Sequence, residues 1–231
     1  MPAPTSDRER AAGASRRASA QGQQRRAEGE RTRELLMDAA EELFAAAGVE
    51  GVSIRSVNTA AGVSPASVHY HFGDKDGLVR AVIERRGTPL VRRQAELLDA
   101  AEASSAAPRA EDAVRLLADP MFELLRDEPP GGARWLTILA GLVAGDDERV
   151  YQIGFGPGSV QARINERAAA AFPGVDREVV ADRWRMASTA LLGLLAGSAV
   201  RLAQDDEAAA AAELDKIVRF VAAGLEGATL D

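Results

Sequence analysis

Cysteine is absent from the 231 residues, which removes disulfides, thiolate nucleophiles and thiolate metal ligands together. Histidine is almost absent. The two present, His69 and His71, stand two positions apart, and on a helix that spacing turns them to different sides, so they cannot make a paired metal face. No serine sits in a nucleophile elbow, and no glycine-rich phosphate cradle ends in Gly-Lys-Ser/Thr. No catalytic residue, cofactor or metal site is therefore expected. Long apolar runs are missing as well: Leu136 to Gly145 and Ala187 to Val200 fall short of the roughly 20 residues that cross a bilayer, and the polar first thirty residues carry no signal peptide. A soluble, cytoplasmic protein is expected.

Excess positive charge is also lacking, since the formal net charge is −7, which argues against a protein that coats nucleic acid without preference. The charge is uneven, however. Residues 1–86 hold 13 Lys+Arg against 12 Asp+Glu, whereas the remaining 145 hold 15 against 23. An acidic body behind a near-neutral N-terminal part would repel phosphates and so help to orient the molecule on a polyanion. With 46% hydrophobic residues the chain can bury a sizeable core as one large or two small domains.

The most informative stretch is residues 52–86. Ser53 reads as an N-cap, and Ile54, Val57, Ala60 and Ala61 follow at helical spacing. Gly62 can take the left-handed conformation that stops a helix and turns the chain, with Val63 plugging the angle. Ser64 then reads as the cap of a second helix, with Pro65 in its first position. Helix, glycine turn and capped helix make a helix-turn-helix. In the second helix, Ser64 to His71, Val68 shares one face with Phe72, leaving Ala66, Ser67, His69, Tyr70 and His71 for the flanks and the outside. A short polar and aromatic helix of this kind fits the DNA major groove.

From Arg31 to Arg86 the sequence resembles the TetR/AcrR-type transcriptional regulators. The resemblance rests on Leu-Phe-Ala-Ala-Ala-Gly-Val closing the first helix, Ala-Gly-Val-Ser in the turn, and Val-His-Tyr-His-Phe-Gly-Asp-Lys-Asp-Gly-Leu leading into the fourth helix. His69 departs from it, at a position more often tyrosine, and so does Asn58, at a position usually apolar. The resemblance implies an all-α fold: an N-terminal three-helix bundle with the helix-turn-helix, then a larger helical ligand-binding and dimerisation domain, about nine helices in all.

The rest of the chain divides accordingly. Residues 1–30 read as a disordered arm, a solvated tail whose arginines could also reach phosphates or a minor groove. Residues 31–86 form the DNA-binding domain, opened by a helix from Thr32 to Ala47 with Leu36, Ala40, Leu43, Phe44 and Ala47 on one stripe and Glu34, Asp38, Glu41 and Glu42 facing water. Gly87, Thr88 and Pro89 read as the domain joint, with a kinked continuation toward Ala103 possible. Residues 87–231 form the helical body: Glu111 to Arg126, a loop at 129–132, an all-round apolar helix from Ala133 to Ala144, a glycine-rich stretch at 151–158 that could cover a pocket, then Ser159 to Phe172, Asp176 to about Gln204 and Ala208 to Gly224. The acids at 146–148 read as a solvated loop rather than a cation site.

The function expected is a homodimeric regulator, by resemblance a repressor, that binds a palindromic double-stranded operator and is released by a small hydrophobic or aromatic effector. The DNA candidates are Ser53, Arg55, Ser64, Pro65, Ala66, Ser67, His69, Tyr70, His71 and Lys75. The last is a cation in a helix first turn, where the dipole disfavours it and an outside anion such as a DNA phosphate would suit it. The pocket candidates are Met121, Phe122, Trp135, Leu139, Phe155, Asn165, Trp184 and Ser188, each of which plain core packing would also explain. The last two helices are expected to dimerise. An effector-independent architectural DNA-binding dimer and a protein-docking adaptor are the alternatives.

Overall fold

In the computed structural model the described residues are 5–104, 107–151 and 158–227, with side chains described from residue 21 onward and not at Tyr151. They form ten helices: α1 Thr5–Ala47, α2 Ile54–Ala60, α3 Ser67–Phe72, α4 Lys75–Ala103, α5 Ala110–Asp127, α6 Gly131–Ala144, α7 Glu148–Tyr151, α8 Val160–Ala170, α9 Arg177–Gln204 and α10 Glu207–Glu226. Phe155 and most of the glycine-rich stretch lie outside the described residues.

Most of the apolar stripe of α1 is where the sequence places it; Ala47 is exposed instead, and Glu41, expected to face water, is buried beside Arg86. Leu36, Met37, Ala40 and Phe44 are buried with Val57 of α2, Val68 of α3 and Leu78, Val79 and Val82 of α4. The helix starts far earlier than Thr32, though, and residues 21–30, assigned above to a disordered arm, are helical with nearly all side chains exposed. Alanine, glutamine, arginine and glutamate are strong helix formers and simply extend the packed end. Gln24 Nε2 donating to Glu28 Oε1 at 3.0 Å is one local support.

At Gly87-Thr88-Pro89 the helix takes the continuation toward Ala103 that the sequence left open. The helix α4 runs through Pro89 to Ala103, with Gly87 and Leu90 both buried. Trp135 Nε1 of α6 donates to the carbonyl of Ile83 at 3.0 Å, and a Cβ on Gly87 would sit 3.5 Å from that indole, so the glycine lets α6 lie close. Gly131 and Gly132, read above as loop, open α6. Side chains there would collide with the guanidinium of Arg86 and with the Leu124 carbonyl of α5. Arg86 is 9% exposed, Glu41 is 3% exposed, and their ion pair, with Arg86 Nε donating to Glu128 Oε2 at 3.0 Å, fastens α4 to α1 and to the α5–α6 corner.

The other helices pack round α9, which touches α5, α6, α8 and α10. By length and composition α9 could cross a bilayer. Its inner side, Val180, Trp184, Leu191, Leu195 and Leu202, is instead buried within the helical body. Asp176 and Asp206 cap α9 and α10 by accepting from Glu178 N and Ala209 N.

Candidate nucleic-acid interface and cavity

The interface begins with a capping box. Ser53 Oγ accepts from Ser56 N at 3.0 Å while Ser53 N donates to Ser56 Oγ at 3.1 Å, so the Ser53 hydroxyl is already engaged in starting α2. Gly62 at φ 66° turns the chain. The second helix begins later than its sequence suggests. Ser64, Pro65 and Ala66 form a turn closed by Ser67 N to Ser64 O at 3.0 Å, and Ala66, the N-cap of α3, offers no side-chain acceptor. Ser64 Oγ lies 2.8 Å from Ser67 Oγ and caps nothing on the backbone.

Asn58 does that work from the neighbouring helix. It is 3% exposed; its Nδ2 donates to the Pro65 carbonyl at 2.9 Å and its Oδ1 accepts from Val68 N at 3.3 Å. The amide thus closes an orphan donor at the start of α3 and fixes α3 on α2. Sequence reading saw Asn58 only as a departure. Replacing it with leucine should leave both partners unsatisfied, destabilising the domain by about 1–3 kcal/mol, readable as a lower midpoint in urea.

On the outside of α3, Tyr70 is 84% exposed and stands edge-on to His71 with ring centroids 4.9 Å apart. His71 is half-buried beside Gly29 of α1. His69 is exposed, with Nδ1 2.7 Å from the Gly73 carbonyl. A carbonyl only accepts, so Nδ1 carries the proton of this bond, which leaves Nε2 to face a base edge. Arg55, Ser64, Pro65 and Ala66 are exposed and Ser67 is partly so. Gly73 at φ 82° ends α3, Asp74 caps α4 by accepting from Gly77 N at 2.7 Å, and a side chain on Gly77 would strike the Phe72 carbonyl. These contacts explain the Gly-Asp-Lys-Asp-Gly-Leu run. Lys75 is half-buried, with Nζ 3.4 Å from Glu50 Oε2.

Behind this module the body holds a partly open cavity of about 640 Å³ between α4, α5, α6, α8 and α9. Of the sequence candidates, Met121, Trp135, Leu139, Asn165, Trp184 and Ser188 line it, whereas Phe122 is packed against the core elsewhere. Ile83, Leu90, Gln94, Val150 and Leu191 are lining residues that sequence reading did not single out. Trp184 Nε1 donates to Asn165 Oδ1 at 2.6 Å and Gln161 Nε2 to the same oxygen at 2.9 Å.

The cavity wall and the DNA module meet at Arg149, next to the lining residue Val150. Its guanidinium donates to Glu50 Oε1 in the α1–α2 connection at 2.6 Å, to Asp76 Oδ1 in the first turn of α4 at 2.8 Å, and through Nε to Asp147 Oδ1 at 2.8 Å. Asp147, read above as a solvated loop acid, is therefore a clasp. The Arg149 hydrogen bond holds Glu50 below the ordinary carboxylate range, with the nearby Lys75 charge adding to it, and does the same for Asp147 against its partial burial. Because both folded values are depressed, the bracket contributes fully above the unfolded carboxylate value and fades as pH falls through the folded ones.

Two family models match. The one described as bacterial regulatory proteins, tetR family, covers residues 36–82, and the one described as Tetracyclin repressor-like, C-terminal domain, covers residues 115–224. The HTH-type transcriptional regulator SrpR of Pseudomonas putida is 39% identical over 64 residues, 28% of this chain and 30% of its own. The HTH-type transcriptional repressor Rv3405c of Mycobacterium tuberculosis is 42% identical over 57 residues, 25% of this chain and again 30% of its own. The match thus spans under a third of these relatives' length. Among solved structures, a mutant of HlyIIR has a TM-score of 0.55 at 17% identity, covering 84% of this chain and 95% of that one. A TetR-like transcriptional regulator from Rhodococcus sp. RHA1 has a TM-score of 0.50 at 18% identity, covering 84% and 93%. At such identities the likeness concerns the fold.

An exposed helix-turn-helix carried on a helical body is the arrangement of the regulatory proteins whose family models match here. The chain belongs to the TetR family of bacterial regulatory proteins.

Proposed function

We propose that this regulator binds a palindromic operator as a homodimer and is released when a small, largely apolar molecule fills the cavity. The observation that carries the reading is the Arg149 bracket, which ties residues flanking the DNA-facing helices to a segment of the cavity wall. A ligand that displaces Val150 would disturb Arg149, and with it the seat of Glu50 and the start of α4. A shift there changes the separation of the two reading helices, and an operator with half-sites about 34–36 Å apart tolerates little change.

In this reading Ser67, His69 and Tyr70 read bases, with Arg55, Ser53, Ser64, Pro65 and Ala66 at the groove edge. His71 and Lys75 hold phosphates, Lys75 exchanging Glu50 for the DNA. Two protomers would meet through α9 and α10. Supporting this, Val179, Met186, Gly193 and Val200 recur every seven residues on α9, the three side chains being 42%, 58% and 62% exposed. Space is open around Gly193, Gly197 and Gly224, and Phe220 of α10 is 69% exposed. A seven-residue stripe on a helix is the geometry of a close helix–helix seam. Met186→Glu with Val200→Asp should convert the protein to monomer in sedimentation equilibrium while leaving its helical circular dichroism intact; a dimer of unchanged stability would place the interface elsewhere.

The release step is tested with Arg149→Ala. The variant should still bind operator and cavity ligand, but the ligand should now lower operator affinity much less, by the loss of a coupling of about 1–3 kcal/mol. Full coupling in the variant would show that the signal bypasses the bracket.

A further inference from the structure

We infer that Gln94 selects the ligand of the cavity, and that this ligand is an uncharged, mainly apolar molecule carrying one carbonyl or hydroxyl group. The inference rests on the cavity being the effector site. Gln94 lies on α4 four residues after Leu90 and four before Leu98, both buried, so it occupies a core position on an apolar stripe. It is 4% exposed and lines the cavity. Its amide offers two donor hydrogens and an acceptor oxygen, and among the described residues no side-chain or backbone group bonds to it. Burying an amide unpaired is unfavourable, so a core position keeps one where something else completes it.

The other buried polar side chains on the wall, Trp135 and Trp184, are already used, as is the hydroxyl of the half-buried Ser188. Trp184 Nε1 is bonded to Asn165 Oδ1, Trp135 Nε1 to the Ile83 carbonyl, and Ser188 Oγ to the Trp184 carbonyl at 2.7 Å. Gln94 is thus the open hydrogen-bonding side chain of the buried wall. The charged lining residues, Glu166, Arg177 and Arg185, are all exposed, which puts them at the open side. Nothing buried on the wall would compensate a charge, so the group that meets Gln94 is neutral.

The test uses the full chain and its intrinsic fluorescence, because the only two tryptophans, Trp135 and Trp184, both line the cavity. The probes are 2-decanone, 1-decanol, decanoate and decylammonium at pH 8, which share a ten-carbon skeleton. Wild type should bind the ketone and the alcohol at least tenfold more tightly than either ion. Gln94→Met, close in shape, should lose about tenfold for the ketone, the weight of a buried hydrogen bond, and without probe should melt at a higher temperature. Gln94→Leu repeats the comparison should the first variant fold poorly. Equal ketone affinity in the variants overturns the role of Gln94 and leaves the cavity as the effector site. Tighter binding of an ion overturns the neutral class. A fluorescence that no probe alters overturns both the inference and the effector reading, whereas a ketone that binds through Gln94 without weakening operator binding removes only the release step.

Discussion

Arg86→Ala is expected to lower the unfolding free energy by about 3–5 kcal/mol, the cost of leaving a buried charge without its partner. Glu41 is the residue left behind. Burial already pushes its carboxyl above the ordinary range, and Arg86 is the principal group pulling it back. A raised folded value means that stability is lost as pH rises through it, and removing Arg86 raises that value further. The deficit of the variant should therefore shrink as pH is lowered from 8 toward 5, and Glu41→Gln in the same chain should recover part of it at pH 8. Urea titrations at the two pH values measure this. A deficit that is small, or independent of pH, would show that Glu41 is not held as a buried charge. The pair also matters for function, because it fixes the helix that carries the DNA module to the helix that starts the body.

The second large effect concerns DNA. Arg55→Ala and Tyr70→Ala should each weaken operator binding by about 1–3 kcal/mol, roughly 5- to 150-fold, and neither should change the melting temperature or the oligomeric state. Both residues are exposed, and Tyr70 contributes only an edge contact to His71 within the protein. Lys75→Ala should instead weaken binding to all sequences alike and reduce the slope of log affinity against log salt by about one. Unchanged affinity in both Arg55→Ala and Tyr70→Ala would remove α3 and its neighbour as the reading surface.

What the sequence disclosed follows the range of the interactions. Leu36, Phe44, Val57 and Val68 were legible because helical periodicity is local, and Gly62 because a turn needs a positive φ within a few residues. The position of Asp176 before α9 was legible for the same reason. The start of α1 was misread because low apolar content was taken for disorder, although alanine, arginine and glutamate make helix without a core. Gly87 and Pro89 looked like a joint, yet the glycine serves a contact with Trp135, 48 residues away in sequence. Asn58 and Gln94 were the residues that broke a pattern, and breaking it was the signal: each is a polar side chain at a core position, one completed by α3 and the other open to the cavity. Arg149 gave no local sign, since its partners Glu50 and Asp76 are brought to it only by the fold.

The central claim, that a two-fold pair of α3 helices reads a specific operator, is tested most directly by selection from random duplexes at fixed physiological salt, followed by sequencing. The account predicts a palindromic consensus with half-site centres about 10–10.5 base pairs apart, or a multiple of that, and no enrichment by the Tyr70→Ala, Arg55→Ala double variant. A pool that stays featureless with the wild-type protein, or a consensus without two-fold symmetry, would contradict it.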